Sequence, residues 1–412
     1  MILVPPTASA SPALPADSWR YRDTGGTRDL RIDFLRGFVF LLLFTAHFNY
    51  FSWFALIGWE RIGVVSSAET FIILAGVVTG AVYGKKLKTE GLATCTWKLV
   101  RRAWTLYRIA FIVAGSIALL RLVPGLDTNA LTTFTDPVTG QTYPLYPDLH
   151  ERPIVTFFYV FFMKAGPHQF QIVGLYVVLF LLTPLIFWAI DRGHVRLLML
   201  ASWLAYLVNY LAPEATPGTA AIRLTWAEFE YAFPSLAWQL LFVHGVLAGY
   251  YKKQLLAFFR TGTGIFLVWL CVLLSGLMIV FSLNHPLPQL PDWAVIEVIP
   301  AQTFGWWYRH FFLKYQLGPG RVLNNVVLLI ALYALLTVAW KPLDRLLGWL
   351  FIPLGQESMY VFFMHIYLIL LVENTPLPGM HSIAVNTAIH AGALLLIWLM
   401  IRTRFLFRWI PH

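Results

Sequence analysis

Long apolar runs alternate along the chain with short basic connections and longer aromatic ones. A helix that crosses a bilayer needs about twenty apolar residues. Such runs fall at 34–57, 65–84, 100–123, 171–190, 195–212, 234–251, 263–283, 321–340, 353–373 and 383–402. The pattern predicts an all-α polytopic membrane protein with about ten transmembrane helices. Lys and Arg gather before the first run (Arg20, Arg22, Arg28, Arg31) and after the second (Lys85, Lys86, Lys88, Lys98, Arg101, Arg102). They recur after the fourth (Arg192, Arg196), sixth (Lys252, Lys253, Arg260), eighth (Lys341, Arg345) and tenth (Arg402, Arg404, Arg408). Every second connection is basic, which predicts that both termini are cytoplasmic. The opposite connections, 124–170, 213–233 and 284–320, are longer and rich in Pro, Trp and Tyr. Within them, 153–165 is too short to span and is expected to lie in the interface or to re-enter.

Composition agrees with this pattern: 58% of residues are hydrophobic and 12% charged, where a soluble protein carries about a quarter charged residues. The net charge of +10 sits mostly in short segments that set topology, so nucleic acid is not an expected partner. Cys95 and Cys271 offer neither a disulfide framework nor a metal spacing, and no H-x-x-x-H pair occurs, so no metal is expected. Residues 1–27 lack the long apolar core of a signal peptide and are expected to form a disordered cytoplasmic tail. Residues 28–412 are expected to form a single integral-membrane domain.

Ionisable groups inside a bilayer are costly, and each is a functional candidate. His47 lies deep in the first run, toward the outer leaflet. Eleven residues earlier, Arg36 shares its face, about 16 Å away along the axis; Asp33 falls near the same stripe. An imidazole there is suited to act as general base for a hydroxyl, or is a packed, hydrogen-bonded residue. Glu69, at the outer start of the second span, is placed either to orient a histidine or to cap its own helix with Ser66 or Ser67. Arg101, Arg102 and Arg108 open the third span and, with Arg36, are placed to hold phosphates of a cytoplasmic anion; Arg101 and Arg102 equally fit a positive-inside flank. Ala75, Gly76, Gly80 and Gly84 mark close helix packing. His244 and His365 fall in spans, where packed histidines are the commoner case. P-loop and G-x-S-x-G motifs are absent from the sequence.

The stretches RDLRIDFLRGFVFLLLFTAHF (28–48), SSAETFIILAGVVTGAVYGKKL (66–87) and LVRRAWTLYRIAF (99–111) carry a resemblance, with fainter ones at 174–185 and 354–368. Arg36-x10-His47 resembles the R-x10-H motif of the type-3 integral-membrane acyltransferases, and the whole is most similar to the OpgC family, tied to succinylation of osmoregulated periplasmic glucans. The resemblance implies a multi-pass enzyme of the bacterial inner membrane. It would take an acyl group, succinyl favoured, from cytoplasmic acyl-CoA to a hydroxyl of a periplasmic glucan or related glycan, with acyl-CoA as donor substrate and no permanently bound cofactor. It implies His47 as the catalytic histidine, Glu69 as its orienter, and Arg36, Asp33, Arg101, Arg102 and Arg108 facing the donor. The family often shows R-x-x-R near the third span; here the spacing is Arg101-Arg102-x5-Arg108. A succinyl group would call for an outer-side cation, with Arg121, Arg223 and Arg309 as candidates. Trp306, Trp307 and His365 are further candidates for acyl or glycan contacts. Two other readings fit the long aromatic loops: a transporter or flippase for a glycan or lipid-linked substrate, and a non-catalytic membrane subunit of a glycan machine.

Overall fold

The computed structural model describes residues 19–22, 28–48, 50–58, 60–135, 140–212, 214–216, 219–220, 222–287 and 290–410. The expected tail therefore lies mostly outside the described residues. The backbone of Trp19 and Tyr21 bonds to Lys341 and Thr337.

Helix α1 spans Leu30–His47. Asp29 starts it, its carboxylate accepting from the Arg31 amide as an N-cap does. The apolar run 34–57 outlasts this helix. After His47 the backbone and side chains of 51–53 bond to another helix: Asn386 donates to the Phe51 carbonyl, His390 pairs with Ser52, and the Trp53 amide donates to Thr387. Those contacts replace the intrahelical bonds that would have prolonged α1.

Helix α2 covers Ser67–Leu120, and at Gly91 (φ 80°, ψ 170°) its helical geometry breaks. Cys95 Sγ stands 3.8 Å from the Tyr83 carbonyl. Twelve residues of straight helix would separate them by about 18 Å, so the two arms fold back on each other. The expected basic loop between the second and third spans is thus helical on both sides of one glycine. Its Lys, Leu, Glu and Ala residues favour helix, and Gly91 supplies the positive φ of the turn.

The remaining principal helices are α3 (Pro153–Phe161), α4 (Gln171–Asp191), α5 (Val195–Leu211), α6 (Ser235–Tyr250), α7 (Gly262–Ser282), α8 (Ala301–Phe311), α9 (Pro319–Val338), α10 (Trp349–Gln356), α11 (Ser358–Glu373) and α12 (Ile383–Arg402). Two small antiparallel hairpins pair Thr133–Thr135 with Thr142–Pro144 and Glu214–Thr216 with Thr219–Ala220. The expected ninth span is not straight: the helices on either side of Glu357 meet at 92°. Among the described residues, five helices are long and apolar enough to cross a membrane, or six with this bent pair as one crossing. Helix α1 carries Arg31, Asp33 and Arg36, and α5 and α6 have 17 and 16 residues. The α2 hairpin enters that count as one helix.

Packing centres on α1 and α2. A Cβ on Gly80 would lie 2.0 Å from the Val246 carbonyl oxygen, and one on Gly249 2.0 Å from that of Val77. The first arm of α2 and α6 therefore meet backbone to backbone, which is how helices associate where lipid removes the hydrophobic drive. Phe40 of α1, Phe71 of α2 and Phe362 of α11 form a ring triangle with centroids 4.7–5.1 Å apart. Phe351 of α10 meets Phe34 edge-on at 5.3 Å. These contacts fix α1 in the interior. By contrast α7 leaves Phe266 and Trp269 65% and 68% exposed, a face suited to lipid.

Candidate functional site

His47 is the last residue of α1, and His365 reaches it from α11. His365 is fully buried, and its Nδ1 lies 2.6 Å from the Phe362 carbonyl oxygen, which can only accept. That bond assigns the His365 proton to Nδ1 and makes Nε2 of the neutral ring an acceptor. His47 Nδ1 stands 3.1 Å from that Nε2, so His47 donates from Nδ1. Nε2 of His47 then carries a free lone pair and has no hydrogen-bond partner among the described residues. The two rings lie nearly parallel, 25° apart.

His168 lies in the turn before α4, and Lys314 in the connection before α9. Nδ1 of His168 is buried without a hydrogen-bond partner among the described residues, and its ring meets Phe134 at 5.4 Å. Behind the His168 turn, Met163, Gly166, Pro167, Gln171, Gly174 and Glu228 help line a cavity of about 40 Å³, room for about one water.

Glu69 does not meet His47. Its Oε1 accepts from Arg321 Nη1 at 2.7 Å, and its Oε2 accepts from the amide and hydroxyl of Ser66 in a capping box. The capping alternative is realised, and in place of the expected Glu69–His47 pair the structure puts His365 on His47. Arg321 also binds Glu60 at 2.5 Å, Tyr308 at 3.3 Å and the Phe312 carbonyl. Burial alone would raise the Glu60 carboxyl, but the Arg321 guanidinium holds it below its ordinary range. Burial and Glu60 push the Tyr308 hydroxyl up. His285 Nε2 stands 3.5 Å from Glu60, outside hydrogen-bonding geometry. Glu60 itself has φ 62°, a left-handed conformation that a non-glycine residue keeps only when its surroundings hold it.

At the other end of α1, Asp33 is 2% exposed and shared between Arg28 at 2.7 Å and Arg36 at 3.9 Å. It positions Arg36 instead of facing solvent. Arg102 is half-buried. Arg101 and Arg108 are exposed on the face that carries Trp104 and Ile112. Residues 101, 104, 108 and 112 share one side of a helix by spacing, so the expected group of four arginines divides. Arg31 is consumed by Asp29, Tyr21 and Tyr333. Although burial opposes it, Arg31 and Lys252 hold the Asp29 carboxyl far below its usual value.

Other candidates lie apart from His47. Arg121 donates to the Pro147 carbonyl. Arg223 is exposed over the Tyr231 ring at 4.3 Å. Arg309, Trp306 and Trp307 are exposed on α8, where Trp306 stacks on His310 at 4.4 Å. His244 bonds to Trp203 and the Leu240 carbonyl, a packed histidine as expected. Sequence reasoning missed His168, Lys314, Glu60 and Arg321. The only signal for Arg321 was a charge at the start of a span, and Lys314 looks like an ordinary loop lysine.

Comparison with curated proteins and with solved structures gives no match. A family model, described as OpgC protein, matches residues 28–409. The match begins at the arginines ahead of α1 and ends past α12, enclosing both histidines of the pair and the whole Arg321 network, and the chain belongs to the OpgC protein family.

Proposed function

We propose that this membrane protein transfers an acyl group, with succinyl the favoured one, from cytoplasmic acyl-CoA to a hydroxyl of a periplasmic glucan, using His47 as general base. Family membership points to an acyltransferase-type role on glucans. The single observation that carries the finer reading is the His47–His365 pair, which leaves His47 Nε2 unprotonated and unpartnered. In the transfer step the sugar oxygen bonds to the thioester carbonyl carbon while Nε2 takes the hydroxyl proton. The C–S bond then breaks, and the proton passes to the departing CoA thiolate. Arg36, set beside Asp33 away from the His47 end of α1, fits a phosphate-bearing donor.

The topology belongs to the same proposal. Counting α1, the two arms of α2, α4, α5, α6, α7, α9, the bent α10–α11 pair and α12 gives ten crossings. With the basic ends inside, both termini are cytoplasmic and His47 is near the periplasmic side, in a bacterial inner membrane.

The test is release of free CoA thiol by the purified protein in detergent, offered succinyl-CoA or acetyl-CoA with and without an uncharged oligoglucan. Glucan-stimulated release is expected, falling about 10²- to 10⁴-fold in His47→Ala. Undiminished release in that variant would remove His47 from the mechanism. Glucan movement without thiol release would favour a transporter.

A further inference from the structure

Beyond the His47 end of α1, two exposed tryptophans converge from distant parts of the chain. Trp53 and Trp293 are 53% and 57% exposed, with ring centroids 5.8 Å apart and planes tilted by 46°. Phe51 meets Trp293 edge-on at 5.8 Å and Trp53 at 6.3 Å. The backbone that carries these rings is fixed. The Trp53 amide donates to Thr387, Asn386 donates to the Phe51 carbonyl at 2.8 Å, and Arg61 donates to the Ala294 carbonyl at 2.6 Å. The same segment holds unmet polar capacity. His390 is fully buried, with Nδ1 2.7 Å from Ser52 Oγ and its ring stacked on Tyr50 at 5.0 Å. Its Nε2, the Tyr50 hydroxyl and Asn386 Oδ1 are buried without a hydrogen-bond partner among the described residues. Such groups are costly unless a ligand or water completes them. An amide, a phenol and a neutral imidazole suit hydroxyls better than anions.

We infer that Trp53 and Trp293 form the platform on which a sugar ring of the glucan acceptor stacks, with Tyr50, Asn386 and His390 completing its hydroxyl contacts. This rests on the acyltransferase reading and deepens it, because it places the acceptor at the His47 end of α1. A pyranose presents an apolar face of C–H groups and a rim of hydroxyls. Two indole faces with neutral polar side chains in the same segment match both. Tryptophans at a membrane interface ordinarily anchor a protein one by one in the headgroup layer; here two from distant segments meet across Phe51. Position supplies the occupant. Phe51 lies four residues beyond His47, so their Cα atoms are at most about 14 Å apart, within the reach of a few linked sugar rings. Ring contacts connect the two places: His365 meets Phe44 at 6.0 Å, Phe44 meets Phe48 at 5.7 Å and Phe48 meets His390 at 5.4 Å. The acceptor hydroxyl thus comes from the aromatic end of α1, opposite the Arg36 end that fits the donor.

The experiment measures binding of an uncharged oligoglucan to the purified protein in detergent by titration calorimetry, without donor, and then the glucan KM in thiol release. The wild-type protein is expected to bind it. Trp53→Ala and Trp293→Ala should each weaken binding and raise the glucan KM about 10-fold, as for loss of a stacking contact, with the KM for acyl-CoA unchanged. Trp53→Phe, which keeps a ring, should retain most of the affinity. Tyr50→Phe removes only the unpartnered hydroxyl and should weaken binding about 3- to 10-fold. Trp269→Ala, on the lipid-suited face of α7, should change neither value. The acyl-CoA KM on the same sample exposes a folding defect in the alanine variants, and the two phenylalanine variants then decide. Unchanged glucan affinity in both alanine variants would overturn the platform. So would an equal fall in Trp269→Ala, or no binding by the wild-type protein. Unchanged affinity in Tyr50→Phe would overturn the hydroxyl contact. Binding that falls as expected, in a protein that releases no thiol from either donor, would keep the subsite and overturn the acyltransferase reading. Glucan-stimulated release with an unchanged glucan KM in both alanine variants would do the reverse.

Discussion

Arg321, in the first turn of α9, and Lys314, in the connection before it, lie seven residues apart, and the protein treats their charges in opposite ways. Arg321 is completely buried and fully engaged: two carboxylates, a tyrosine hydroxyl and a backbone carbonyl take up its guanidinium. Lys314 is half-buried and has no ion-pair partner among the described residues. One network is closed and ties the α1–α2 connection to α9. The other cation rests over the Phe233 ring at 5.9 Å and has no ion pair among the described residues. The difference separates a charge neutralised within the fold from one with no counter-charge among the described residues, although both occupy one short segment.

The largest expected effect tests the closed side. Arg321→Met leaves Glu60 and Glu69 buried without their counter-charge, and breaking a buried pair from one side costs about 3–5 kcal/mol. Thermal unfolding in detergent should show this loss. The triple variant Arg321→Met, Glu60→Gln, Glu69→Gln should recover much of it, since no unpaired charge remains. A drop of less than about 1 kcal/mol in the single variant would show that water already relieves the network. Lys314→Met, by contrast, should leave thermal unfolding within about 0.5 kcal/mol, as expected where no partner is lost.

A smaller effect falls on His365, which stands between the two cases. It is buried and satisfied on one nitrogen, and it uses the other to hold the open group. His365→Ala removes the acceptor that fixes the His47 tautomer. The expected result is a fall in kcat of about 10- to 100-fold with little change in KM, the pattern of a positioning residue. His365→Gln, whose carbonyl oxygen can accept, should restore part of the rate. Loss of KM alone would instead make His365 a substrate contact.

Much of the fold was legible because apolar length decides crossings. Seven of the expected spans, from 171–190 to 383–402, correspond to helices or, for 353–373, to part of a bent pair. The glycine run in α2 announced its close contact. What could not be read was partnership across long separations. His365 is 318 residues from His47, and Glu60 is 261 from Arg321. Periodicity reports which face of one helix is apolar; it carries no information about which distant side chain arrives there. Glu69 shows the limit well: a local capping box was readable from Ser66, but its buried cation was not. The end of α1 was missed for a related reason, since side chains of α12 take over the backbone bonds that the apolar run would otherwise have kept.

The smallest effect concerns the neutral member of the closed network. Burial, together with the charges of Arg321 and Arg61, holds the His285 imidazole below its ordinary value, while Glu60 opposes the shift. Phe304 and Tyr308 meet its ring in edge-to-face contacts at 5.7 and 4.6 Å. In the unfolded chain the same group titrates near about 6.5. Between its lowered folded value and about 6.5, the unfolded state therefore binds more protons than the folded one, so stability rises with pH through that window and is lost as pH falls through it. Glu60, also held low, stays charged throughout and adds its own loss only at more acidic pH, near the carboxylate range. Thermal unfolding of the wild-type protein between pH 7.5 and pH 5.5 should accordingly show a falling midpoint, and His285→Gln should flatten that slope. A midpoint that rises on acidification, with the rise abolished in His285→Gln, would mean that an imidazolium pairs with Glu60. Arg321 would then share its carboxylates with a second cation, and the closed network would have to be counted as charge-balanced at acid pH instead of one negative charge in excess.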